Sequence, residues 1–194
     1  EERHGITMDW ATHSYLHTYV GARIRSTDFT IGNFVLSGNG SNDAHCQGSF
    51  GEGTLTDEDI NSVITHSDTP TLPFEQVLSP VAELPIMHKI GSDTWYLDDA
   101  TTDLVKVGTS RIQYNLFSGT WSAVDVTDLH YVAMWVFATN FRDQPVRVLL
   151  GQREDATLNE ANTNNTYEAL NLTGLAIQEY KILYRLVFQT SDSY

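Results

Sequence analysis

Short apolar runs, many of them alternating with polar residues, recur along the chain and are separated by turn-forming residues. The clearest pair lies in Leu129–Gln152, where two apolar runs flank a polar stretch at Asn140–Gln144. Two strand-length apolar runs joined by a short polar turn are typical of a β-hairpin. We therefore predict a hairpin here, with a buried first strand.

Other stretches show the same strand-like enrichment in β-branched and aromatic residues. They are Ala22–Gly38, with one or two strands, Ile60–His66, Ser92–Asp99, Thr109–Leu116, Gly119–Val126 and Glu179–Ser191. Pro80 and Pro85 exclude a helix from Pro80–Ile90, which should be extended. Short strands at intervals of roughly 8–12 residues are typical of a β-sandwich or a jelly roll.

Helical patterns are scarce. Arg153–Leu172 is the clearest candidate, but its asparagines predict a weak helix that breaks near Asn164. The stretch Met8–Val20 is compatible with a helix or a strand. The predicted fold class is all-β and mainly antiparallel, a β-sandwich or jelly-roll-like domain with one or two short helices.

Charge and composition narrow the possible partners. The 194 residues carry a net charge of −14 and only three lysines. Such a chain repels nucleic-acid phosphates and anionic membranes, so we expect it to bind neither. The longest apolar run, Tyr131–Ala138, is far shorter than the ~20 residues of a membrane-spanning helix, so we expect no membrane insertion. Cys46 is the single cysteine, which excludes an intrachain disulfide and a cysteine metal cage.

The start of the chain adds expectations about the origin of the protein. The chain does not begin with methionine, which predicts a piece of a longer protein. No N-terminal signal pattern is visible. The protein is therefore expected either to be intracellular in origin or to reach the outside by another route, such as cell lysis.

Metal-ligating residue types are concentrated near the start of the chain. Asp9, His13 and His17 are spaced four apart, and His4 precedes them. In a helix the three share one face, whereas strand residues four apart lie about 13 Å from each other, too far for one ion. No HExxH motif follows. Three readings stay open: an ion held within one helix, an ion shared through His4, His13 or His17 at the axis of a trimer, and histidines in ordinary polar contacts.

Motifs for catalysis are weak. Asp57, Glu58 and Asp59 are consecutive, and consecutive strand residues face opposite sides, so a solvated turn is favoured over a pair of catalytic carboxylates. His45 neighbours Cys46 only in sequence, and no GxSxG, Walker or GxGxxG motif occurs. We predict no catalytic residues and no cofactor.

Aromatic residues offer a binding surface instead. Trp95, Tyr96 and Trp121 lie in polar, turn-rich stretches, whereas Trp135 belongs to an apolar run. Exposed tryptophan and tyrosine rings can stack on the apolar C–H faces of sugars. The alternative is that they anchor a core or an interface.

Five strings of this chain, taken in order, resemble segments of a C-terminal β-rich module of bacteriophage tail-fibre-like and structural virion proteins. They are EERHGITMDWATHSYLH, GTLTDEDI, EQVLSPVAELPIMHKIGSDTW, ATNFRDQPVRVLLGQRE and YRLVFQTSDSY. The resemblance extends over nearly the whole chain, and the order of the strings is more specific than any one of them.

The resemblance implies a fibre tip or head module, commonly a homotrimer, that contacts other virion proteins and a host-surface glycan or outer-membrane protein. It also implies that residues 1–21 join the module to an upstream shaft or neighbouring subunit, that residues 22–194 form a single β-rich domain, and that the protein lies on the virion, outside the cell after host lysis. The alternative functions are a capsid decoration or tail adaptor protein and, less favoured, a polysaccharide-acting enzyme that uses acidic residues such as Asp57 or Asp59.

Overall fold

The structure, a computed structural model, describes residues 9–16, 20–42, 44–57, 60–177 and 179–192. In this part of the chain twelve strands, two α-helices and a 3₁₀ turn follow one another. They are α1 (Trp10–Tyr15), β1 (Ile31–Leu36), β2 (Cys46–Phe50), β3 (Gly53–Asp57), β4 (Ile60–His66), β5 (Glu75–Gln76), β6 (Ile86–Lys89), β7 (Trp95–Leu97), β8 (Gln113–Phe117), β9 (Trp121–Asp125), β10 (Tyr131–Thr139), β11 (Val146–Asp155), α2 (Leu158–Asn164), the 3₁₀ turn (Tyr167–Ala169) and β12 (Tyr180–Gln189).

The largest sheet has five strands in the order β12-β10-β11-β6-β7. Only β6 and β11 are parallel in it, and the other neighbours are antiparallel. A three-stranded sheet, β3-β4-β5, and the two hairpin sheets β1-β2 and β8-β9 complete the described strands. The predicted all-β, mainly antiparallel, sandwich-like fold with short helices is confirmed.

Strand β10 lies inside the five-stranded sheet and is buried on both faces. Val132, Met134 and Val136 face the main core, which includes residues from Ala22 to Phe188. Ala133, Trp135 and Phe137, which alternate with them, face a second apolar cluster that also holds residues of the 167–177 segment. A strand covered on both sides has no solvent-facing positions, which explains its near-continuous apolar sequence. The predicted buried strand is confirmed.

The predicted hairpin is also confirmed, since β10 and β11 pair antiparallel around residues 140–145. Their register shifts between Val132 and Met134, opposite Gly151. A Cβ atom at Gly151 would lie 2.0 Å from the backbone oxygen of Ala133. A side chain at position 151 would therefore collide with the backbone of β10, which explains the glycine at this irregularity of the pairing.

The helix predicted over Arg153–Leu172 is wrong in its extent. Residues 153–155 continue β11, because Tyr131 pairs with Asp155 and the buried Asp155 carboxylate accepts a hydrogen bond of 2.7 Å from Asn165 Nδ2. Helix α2 begins only after Thr157, which forms a capping box with Glu160. The predicted break near Asn164 is confirmed.

One further sequence prediction, the turn at Asp57, is corrected, and one strand was missed. The stretch around Asp57 was predicted to be a solvated turn, but Asp57 ends strand β3, pairs with Ile60 and is 6% exposed. Glu58 and Asp59 lie outside the described residues. Strand β2 was not predicted at all, because its sequence CQGSF has little apolar character. The ambiguous opening stretch contains helix α1.

Candidate functional site

An open cleft lies where the turn before the edge strand β7, the tip of the β8-β9 hairpin and the loop after the 3₁₀ turn meet. Its volume is about 230 Å³. The residues that line this tryptophan cleft are Ser92, Asp93, Phe117, Trp121, Asn171 and Thr173. It therefore combines aromatic rings with short polar side chains.

The aromatic wall comes from the last residue pair of the β8-β9 hairpin. Phe117 and Trp121 are directly opposite each other in the register, with ring centroids 5.1 Å apart and ring planes at 45°. The hairpin turns at Gly119, whose φ of +80° lies in the left-handed region that glycine adopts readily. Phe117 is 58% exposed although it belongs to a regular strand.

The polar wall comes from two loops that touch. Ser92 and Asp93 lie in the turn between β6 and β7, and a Cβ atom at Gly174 would come within 2.3 Å of the Asp93 backbone oxygen. Asn171 is held by Gln152 of β11: its N–H donates to Gln152 Oε1 at 2.6 Å, and Gln152 Nε2 donates back to its carbonyl at 3.1 Å. Both loops are thus fixed in position.

Lys89 lies beneath the cleft and is fully buried. Its Nζ donates to Asn171 Oδ1 at 2.8 Å and to the Thr173 carbonyl at 3.0 Å. The same nitrogen is 5.5 Å from the ring centroid of Trp95 and 5.2 Å from that of Trp121. No carboxylate oxygen of the described residues lies within 4.0 Å of it. Carbonyl oxygens and π-faces therefore stabilise the buried ammonium in place of a counter-ion.

Two of the three aromatic residues singled out from the sequence come together here. Trp95 pairs with Lys89 in the register, and its Nε1 donates to the Thr173 carbonyl at 3.0 Å. Trp121 reaches the same lysine from another hairpin. Tyr96 does not take part, because consecutive strand residues face opposite sides; it is 52% exposed and lies edge-on to His88, with 5.6 Å between the ring centroids.

Sequence reasoning missed Lys89, Phe117 and Asn171. A lysine inside the otherwise apolar run PIMHKI was a signal that its charge needed a special environment. Phe117 and Trp121 flank the short turn SGT, which is the spacing of a cross-strand pair. Asn171 carried no signal, since a loop residue 50 positions from Trp121 can be placed only by the tertiary structure.

His88 belongs to a second polar cluster, on the opposite side of β6 from Lys89. Its Nδ1 is 3.3 Å from Asp98 Oδ2, without the geometry of a hydrogen bond, and Lys106 Nζ is 2.7 Å from the same oxygen. Burial lowers the pKa of His88, an effect that the Asp98 carboxylate opposes and the Lys106 ammonium reinforces. The neutral imidazole is therefore favoured in the folded protein.

The residues predicted to bind a metal lie largely outside the described part of the chain. His4 and His17 lie outside the described residues, as does the side chain of His13. Asp9 acts in another way, because its carboxylate accepts from Thr12 N at 2.9 Å at the start of α1 and this bond lowers its pKa. Among the described residues no group of three or more His, Cys, Asp or Glu side chains could hold a metal ion. The axial metal site stays a prediction.

Cys46 and His45 do not form a nucleophile–base pair in this structure. His45 Nδ1 accepts a hydrogen bond from Gly40 N at 3.1 Å. Burial, with a smaller contribution from the Asp103 carboxylate, raises the pKa of the Cys46 thiol to about 12. The thiolate, which is the nucleophilic form, is thus strongly disfavoured.

Among the described residues, no helix is both long enough and apolar enough to span a bilayer. Comparison with known proteins gives no match to a family model, to a curated protein or to a solved structure. Membership of the bacteriophage module stays a prediction.

Proposed function

We propose that this chain is a non-catalytic recognition module of a bacteriophage virion, a fibre-tip or head module that attaches the particle to its host. The observation that carries the proposal is the tryptophan cleft. Aromatic side chains are enriched where proteins bind partners, because each ring contributes a large apolar contact at little cost in conformational entropy. Phe117 and Trp121 offer such a surface at the tip of a hairpin.

Three other properties support attachment. Five strings of the sequence resemble segments of bacteriophage virion proteins. The acidic composition favours solubility, and the absence of any possible intrachain disulfide suits a protein that is made in a reducing cytoplasm and released by lysis. In this proposal the partners are two further copies of the chain, other virion proteins, and a host-surface glycan or outer-membrane protein.

The experiment that tests this function locates the chain on the particle and then competes with it. Immunogold labelling should decorate the tail tip, and labelling of the capsid or the tail body would overturn the attachment role in favour of a structural one. Purified chain added to host cells should reduce phage adsorption, and a lack of competition at saturating concentration would count equally against attachment.

A pair of single substitutions tests the surface used. Trp121→Ala should weaken the competition, because it removes half of the aromatic wall. The control is Leu72→Ala, which removes a 65% exposed apolar side chain in the loop before β5, outside the tryptophan cleft. Equal competition by the two variants would show that attachment uses another surface.

A further inference from the structure

We infer that the tryptophan cleft binds one neutral sugar ring of a cell-surface polysaccharide. The apolar face of the ring lies on Trp121 and Phe117, and its hydroxyl groups hydrogen-bond to Asp93 and Asn171. This inference rests on the proposed recognition function and names the chemistry of its ligand.

The size of the cleft fits a single ring. Its volume of about 230 Å³ is below the roughly 300–1,000 Å³ of pockets that enclose small molecules. The cleft is open to solvent, so the neighbouring sugars of a polysaccharide could extend away from it without a clash. A larger apolar ligand would leave much of its surface in water.

The aromatic wall fits the C–H face of a sugar. The ring planes of Phe117 and Trp121 meet at 45°, which makes a bent apolar surface and not a flat one. The π-face of an aromatic ring carries partial negative charge and attracts the weakly positive C–H bonds of a pyranose. Neither ring is needed to fill the main or the second core cluster.

The polar wall retains hydrogen-bonding capacity for hydroxyl groups. Asn171 Oδ1 is used by Lys89 Nζ and Thr173 N, which fixes the amide while its Nδ2 donates to none of the described residues. The Asp93 carboxylate and the Ser92 hydroxyl likewise have no hydrogen-bond partner in the described part of the chain. An acceptor-only carboxylate beside an amide donor matches the donor and acceptor pair of neighbouring hydroxyl groups.

Charge selects a neutral sugar over an acidic one. Asp93 is exposed in the cleft wall, whereas the positive charge of Lys89 is fully buried beneath Trp95 and Trp121. A carboxylate on the ligand would meet Asp93 first and would also be repelled by the net charge of −14. Lys89 is therefore a positioning residue, which orients Asn171 and the two indole rings without touching the ligand.

The test titrates the full chain with methyl glycosides of glucose, galactose, mannose and N-acetylglucosamine, and with glucuronic acid, by tryptophan fluorescence and ligand-observed NMR. At least one neutral glycoside should bind, weakly because a single ring has few atoms, and glucuronic acid should bind at least tenfold more weakly. No binding by any of these sugars, or preferential binding of glucuronic acid, would overturn the inference.

Matched variants locate the site. Trp121→Ala and Asp93→Asn should each weaken binding by about tenfold or more. Tyr96→Ala, which removes an exposed ring from the other face of β7, should leave it unchanged. Thermal unfolding of each variant checks that it is folded. Asp93 is exposed, so Asp93→Asn should fold normally and can test the site even if Trp121→Ala unfolds the chain. Equal effects of the Asp93 and Tyr96 substitutions would contradict the site.

The attachment function and the sugar ligand can be refuted independently of each other. Phage adsorption that depends on Trp121 without any sugar binding would retain attachment and refute the sugar ligand. Sugar binding that depends on Asp93 without any competition for adsorption would retain the site and refute the attachment function.

Discussion

Replacement of Gln76 by leucine should destabilise the protein more than any change to a surface glutamine. Gln76 is 2% exposed and its side-chain amide links two sheets. Its Nε2 donates to the carbonyls of Val146 and Glu83, both at 2.9 Å, and its Oε1 accepts from Val146 N at 2.8 Å. The residue thereby joins β5 to the first residue of β11.

The magnitude follows from the groups left without partners. Leucine has a similar volume, so no large cavity forms, but the buried Val146 N–H loses its acceptor, which costs about 1–3 kcal/mol. Each of the two carbonyls loses one hydrogen bond, which costs about 1 kcal/mol more. The free energy of unfolding should therefore fall by about 3–5 kcal/mol, a large part of the stability of a domain of this size.

The assay is urea denaturation followed by tryptophan fluorescence, with the midpoint and the slope fitted together. The control is Gln47→Leu, because Gln47 is only partly buried and its side chain makes one hydrogen bond to the described residues, of 3.2 Å, to Thr102. The control should lose less than about 1 kcal/mol. Unfolding free energies of the two variants that agree within the uncertainty of the extrapolation, roughly 10–15%, would refute the reasoning.

Three further outcomes are expected. Gly151→Ala places a methyl group 2.0 Å from the Ala133 oxygen and should cost about 1–3 kcal/mol or more in thermal unfolding, whereas Gly32→Ala, with open space around its Cβ, should be nearly neutral. Cys46 should resist a thiol reagent at pH 8 until the chain is unfolded, because its pKa is raised to about 12 and it is 8% exposed; rapid labelling of the folded chain would disagree. The pKa of His88 is lowered in the folded state, so as the pH falls below about 6.5 its imidazole is protonated in the unfolded chain before it is protonated in the folded one. The free energy of unfolding should therefore decline there by at most about 1.4 kcal/mol per pH unit. His88→Gln should remove that part of the slope in urea midpoints measured from pH 7.5 to 5.

Much of the strand content could be predicted from local pattern. Strand β4 begins and ends at the predicted residues, Ile60 and His66, and β12 lies within the predicted Glu179–Ser191. The prediction failed where burial does not show in the local pattern. Strand β2 is buried at four of its five positions, but glycine and serine occupy two of them.

The candidate site, like the strands, could be predicted from the sequence only in part. The sequence pointed to indole rings in polar, turn-rich stretches as candidate binding residues, which stays a prediction. The sequence did not show which of these rings converge, because Trp95 and Trp121 belong to different hairpins and come together at Lys89. The adjacent Tyr96, equally plausible in sequence, faces the other side of its strand.

The sequence by itself determined the β-rich fold, the long buried hairpin and the polar setting of the aromatic residues, because strand formation follows from the alternation and clustering of side chains a few positions apart. Only the tertiary structure decided that β6 pairs in parallel with β11, as Ile86 does with Val148, and that the loop at Asn171 closes over Lys89. The physical reason is that such contacts join segments separated by about sixty or more residues. The free energy of these long-range contacts depends on which apolar faces are buried against each other, and the local sequence pattern does not determine that.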